Sequence, residues 1–177
     1  MRYWLMVIVW CLALPTWADD PRIEQIRHTY QEVQQSLKTL KVTAFEPTIN
    51  STEGVEALKY MDKQGQIKLI KFTAFGEMGQ SIKQYYFKNK QLVFVLATDK
   101  DYQVPFYIDS QKAKELGVQP FDPKKVVTTE QRYYFHQGHL IRMLGVNKES
   151  IAASDPNFKQ AEQDLLTELA TLMKAAQ

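Results

Sequence analysis

The chain has 177 residues, enough for one domain that buries a sizeable core without covalent staples. Its 22 basic and 20 acidic residues leave a formal net charge of +2. With no long charge block, that balance excludes the basic footprint of a nucleic-acid or anionic-membrane binder. The single cysteine excludes an intramolecular disulfide.

Residues 1–18 read as a signal peptide. Arg2 is the charged start, an apolar run follows from Tyr3 to Leu14, and Pro15 breaks it. Thr16 and Ala18 are then the small residues of a cleavage site before Asp19-Asp20. The run is shorter than the roughly 20 residues of a membrane-spanning helix. Trp10 before Cys11 does not match the small residue that precedes a lipid-attachment cysteine. The expectation is a single domain over 19–177, periplasmic or secreted, with no stable membrane insertion after cleavage.

Asp20 as N-cap and Pro21 in the first turn predict a helix. Ile23, Ile26, Tyr30, Val33, Leu37 and Leu40 form one apolar stripe, suited to lying on a sheet. Strands are then expected at Lys41–Glu46, Val55–Met61, Ile67–Phe75, Ser81–Lys88 and Gln91–Thr98. Asn50-Ser51-Thr52 matches a glycosylation sequon and equally a turn before Gly54. The proline-bearing stretch 99–125 reads as a long loop holding a short helix, Ser110–Leu116, between Asp109 and Gly117. Strands resume at Val126–His136 and His139–Gly145, and a last helix starts at Asp155-Pro156. Its stripe is Phe158, Ala161, Leu165, Leu169 and Leu172. The fold class is α+β: a helix, an antiparallel meander of about seven strands, and a helix.

One pattern occurs three times, at Tyr60–Ile67, Tyr85–Leu92 and Tyr133–Leu140. Each copy has an aromatic run, a polar two-residue tip and an aliphatic return strand. A tip at 137–138 sets His136 opposite His139, Phe135 opposite Leu140 and Tyr134 opposite Ile141. The motif resembles the tyrosine- and glycine-marked hairpins of MORN-type and YD-type repeat proteins, and of bacterial secreted proteins built as β-meanders. Lys90 replaces the glycine in the second copy, and the spacing is not that of a solenoid. The resemblance implies stacked hairpins and carries no activity or site.

Both faces of the central strands are apolar. In Gln91–Thr98, Leu92, Phe94 and Leu96 are expected on one face, with Val93, Val95 and Ala97 on the other. The terminal helices can cover the two faces, or strong curvature can close the sheet on itself.

No nucleophile elbow, phosphate loop or dinucleotide fingerprint is present, so no cofactor is implied. A His136–His139 pair offers two metal ligands, but a structural zinc site needs four, and His28 is the only other histidine. Asp99-x-Asp101 has calcium-loop spacing without the rest of such a loop, and reads as a polar loop entrance. Tyr60, Tyr85, Tyr86, Tyr133 and Tyr134 could form a stacking platform, or pair within the sheet.

Two functions fit. One is a non-catalytic binding module of the bacterial cell envelope, with a protein or small-ligand partner and no nucleic acid. Its contact loop would be 99–125, and its anchors Tyr102, Phe106, Tyr107 and Phe121. The other is a metal-dependent or hydrolase-like enzyme using His136, His139 and carboxylates.

Overall fold

The structure, a computed structural model, describes residues 20–177. The signal-peptide assignment lies outside them. The first helix, α1, spans Pro21–Ser36 and starts where the Asp20 carboxylate accepts the Arg22 N–H at 2.9 Å. A 3-10 turn at Leu37–Thr39 leads into the sheet. Its strands are β1 Lys41–Phe45, β2 Val55–Met61, β3 Ile67–Gly76, β4 Gly79–Lys88, β5 Gln91–Asp101, β6 Val127–His136, β7 His139–Leu144 and β8 Ser150–Ile151. Between β5 and β6 lies a short helix, α2, Ser110–Leu116. The last helix, α3, spans Pro156–Ala175 and is capped by Asp155.

The strands run antiparallel in chain order, β1 to β8. The fold is therefore the expected helix, meander and helix. The eighth strand is a two-residue return, in which Ile151 pairs with Met143 and Ser150 with Leu144. In a meander successive connections alternate between the two ends of the sheet. The three hairpin tips thus share one end. The β3–β4 turn and the 102–126 excursion share the other.

Each of the three hairpins carries a β-bulge in the same place. The pairs are Tyr60–Leu69 then Met61–Ile67, Tyr86–Phe94 then Phe87–Leu92, and Tyr134–Arg142 then Phe135–Leu140. The extra residues are Lys68, Val93 and Ile141. This corrects two expectations. Tyr134 faces Arg142 rather than Ile141, and the alternation along β5 breaks at Val93. Leu92, Val95 and Ala97 pack in one core, while Phe94, with Val93 and Leu96, packs in the other. A bulge adds a residue to one strand and re-aims the side chains beyond it, so strict alternation fails across it.

The first copy also differs at its tip. Asn89, Lys90, Gln137 and Gly138 all have positive φ, as a two-residue primed turn requires. Residues 62–66 instead form a longer turn. The Asp62 carboxylate accepts the N–H groups of Gln64 and Gln66 at 3.0 and 2.9 Å, and Gly65 takes the left-handed conformation.

The register builds two rows of opposite aspect. Val42, Tyr60, Leu69, Tyr86, Phe94, Tyr134 and Arg142 are successive cross-strand partners from β1 to β7. The core on this side includes Ile23, Ile26 and Val33 of α1. The neighbouring row runs through Lys59, Ile70, Tyr85, Val95, Tyr133 and Met143. The core there includes Phe158, Leu165, Leu169 and Leu172 of α3. Each terminal helix thus packs on one face, which removes much of both apolar surfaces from water.

Candidate functional site

The excursion begins later than expected. β5 continues through Asp101, with Asp99 paired to Ser81 and Thr129, and Asp101 to Gly79 and Val127. Asp99 and Asp101 are strand residues, not the entrance of a loop. Gly79 permits this close pairing: a Cβ there would lie 2.3 Å from the Lys100 carbonyl oxygen. The remaining connection is 102–126.

That connection is ordered by its own bonds. The Tyr102 N–H donates to the Met78 carbonyl at 2.8 Å, and the Phe106 N–H to the Glu77 carbonyl at 3.2 Å. Both acceptors belong to the β3–β4 turn, so the excursion folds back on that end of the sheet. Asp109 caps α2 by accepting from Gln111 and Lys112 N–H, each at 2.9 Å. Gly117 closes α2 in the left-handed conformation. The Phe121 N–H returns to the Ile108 carbonyl at 2.8 Å. Ile108 and Ala113 are buried beneath it.

The four predicted anchors divide into two pairs. Tyr102 and Phe121 are half-buried and meet edge to face, 5.2 Å between ring centroids. They hold the excursion together. Phe106 and Tyr107 point outward, 46% and 42% exposed, with centroids 5.5 Å apart. The Tyr107 hydroxyl donates to Glu77 Oε2 at 3.3 Å, and the Lys112 ammonium sits 5.0 Å from the centre of the Tyr107 ring. Glu77 and Lys112 were not singled out from sequence. Their part depends on how the β3–β4 turn meets the excursion, and no local motif carries that.

The tyrosines form no exposed platform. Tyr85, Tyr86, Tyr133 and Tyr134 are buried, and the two of each pair face opposite helices. Burial, then the Glu168 carboxylate, pushes the Tyr85 hydroxyl far above its ordinary value. Burial and Asp99 raise Tyr133 to about 12. No family model, curated protein or solved structure matches the chain. The site therefore rests on its own geometry.

His136 and His139 are opposed across the third tip. His139 Nδ1 lies 3.2 Å from Glu162 Oε1 of α3, and its side chain is 82% exposed. Among the described residues, no group of three or more His, Cys, Asp or Glu side chains is placed to hold a metal ion.

Proposed function

We propose that the protein is a non-catalytic binding module of the bacterial cell envelope, secreted or periplasmic, which holds a protein partner on the 102–126 excursion. The observation that carries this reading is the outward Phe106–Tyr107 pair on a backbone fixed by Glu77. Large aromatic side chains dominate interface energies, and a pre-ordered segment loses less entropy on binding. Three prolines, Pro105, Pro120 and Pro123, stiffen the path further.

The test is the double substitution Phe106→Ser and Tyr107→Ser in the full chain. Both side chains are exposed, so the melting temperature should be nearly unchanged. A partner recovered from envelope extract by cross-linking to the native chain should be lost from the variant. Retention of that partner by a folded variant would refute the reading.

A further inference from the structure

The helix α1 lies across its sheet face with two different flanks. On one, Arg22, Gln25 and Thr29 border a groove beside the hairpin-tip residues Asn89 and His136. The other flank overhangs the rest of the face, and the angle between them is a cleft of about 300 Å³. The floor is set by the register. Leu96, Arg132 and Leu144 are cross-strand partners on β5, β6 and β7, so they share one row. Phe94 and Tyr134 make the adjacent row, and Ile26 and Tyr30 of α1 form the wall. Tyr30 stands edge-on to Phe94 at 5.5 Å.

The charge on this cleft is unequal. Arg27 and Arg132 border it against the single carboxylate of Glu130. Arg132 gives Glu130 one contact, Nη2 to Oε2 at 3.0 Å, which leaves most of its five N–H donors for another acceptor. Arg27 is 3.5 Å from Glu24, which is not part of the lining, and both groups are well exposed. Such exposed pairs hold weakly against a competing carboxylate. A volume near the lower end of small-molecule sites suits one ring or a short chain.

We propose that this cleft binds small aromatic carboxylates. The ring lies on the Leu96–Leu144 floor between Tyr30 and Tyr134, and the carboxylate meets Arg27 and Arg132. An arginine fork matches a planar carboxylate better than any neutral head group. No residue of the 102–126 excursion lines the cleft, so this site stands or falls independently of the protein-partner surface.

The probe is 3-phenylpropionate, titrated into the full chain and followed by amide chemical shifts. Saturable shifts are expected at residues 26–31 and 130–134, with 3-phenylpropanol binding about tenfold more weakly. Arg132→Gln should weaken the acid about tenfold and leave the alcohol unchanged. Leu96→Trp, in protein shown to be folded by its melting curve, should abolish binding of both by filling the floor. Equal affinity for acid and alcohol overturns the proposal. So does an Arg132→Gln variant that binds the acid like the parent, or the absence of saturable shifts up to about 10 mM.

Discussion

Beneath α3 polar ties reach the sheet from β7 to β2, whereas beside α1 gaps open on both flanks of the helix, toward the hairpin tips and over the cleft. His139 at the start of β7 meets Glu162, Lys83 of β4 meets Glu168 at 2.8 Å, and Lys59 of β2 donates to the Ala176 carbonyl. The Tyr85 hydroxyl also donates to Glu168. From Glu162 to Ala176 a helix rises about 21 Å. Five strand spacings are about 24 Å, so the helix is long enough to reach ties on strands from β7 to β2. On the other face, Gln34 Nε2 of α1 donates to the Tyr86 hydroxyl of β4 at 2.6 Å. Both helices carry an apolar stripe. The stripe accounts for their lying on a sheet, while the polar ties account for where they lie and how much they cover.

The largest test of that contrast compares equal truncations under the two helices. Leu172 of α3 is fully buried against the sheet, and Ile26 of α1 is buried at the border of the cleft. Leu172→Ala should cost about 4 kcal/mol, because its closed surroundings leave a cavity. Ile26→Ala should cost less, about 3 kcal/mol, because Ile26 is buried but the side chains bordering the cleft have room to relax into the space left. Urea unfolding with unchanged slope measures both. Equal losses would mean that the two faces are held alike.

This contrast also marks what was legible in the chain. The caps at Asp20, Asp109 and Asp155 act within a few residues, and the structure has them where the sequence placed them. The strand cores follow local composition, and their ends agree to within a few residues. The bulges at Lys68, Val93 and Ile141 were not legible, because one inserted residue leaves no mark in an apolar run. Once the bulges are known, the repeat makes sense: Tyr60, Tyr86 and Tyr134 precede them and join one row on the α1 face. Of the two readings of the five tyrosines, pairing within the sheet holds and the platform does not, because adjacent strand residues face opposite ways and divide the rings between the two cores. Of the excursion anchors, Tyr102 and Phe121 could not be told from Phe106 and Tyr107 without knowing where the chain folds back. The cleft joins Arg27 to Arg132, more than a hundred residues apart, and only the placement of α1 brings them together.

A smaller effect is expected at high pH. Burial is the chief cause of the raised values at Tyr85 and Tyr86, one under each helix. An unfolded tyrosine ionises near its ordinary value of about 10. The folded protein keeps these hydroxyls neutral above it. Their contribution is therefore complete below about pH 10 and is lost as pH rises toward the folded values, by about 1.4 kcal/mol per pH unit for each. Urea midpoints between about pH 9 and 11.5 should fall accordingly. Tyr85→Phe and Tyr86→Phe should each remove one such increment from the slope. An unchanged slope in either variant would place that hydroxyl in contact with water in the folded state.

The smallest effect concerns the ends of the two helices. A helix leaves its last carbonyls without intrahelical donors, and a lysine ammonium near that end both donates to them and complements the helix dipole. For α3 the donor comes from the sheet: Lys59 Nζ reaches the Ala176 carbonyl, and Ala176 itself is buried. No basic residue occupies the last turn of α1, which tightens into a 3-10 turn instead. Lys59→Met keeps most of the apolar stem and removes the donor. It should cost about 1 kcal/mol, below the usual worth of a bond from a charged donor because Lys59 is only half-buried and water can replace the bond in part. Lys41→Met, on exposed β1, removes the same charge from a side chain without a bond among the described residues and should stay within about 0.5 kcal/mol. Amide hydrogen exchange would locate the Lys59→Met loss in the last turns of α3, with α1 protected as before. If both substitutions cost the same, the tie to Ala176 contributes nothing beyond surface charge, and α3 is held across the strands by its apolar stripe and its other bonds.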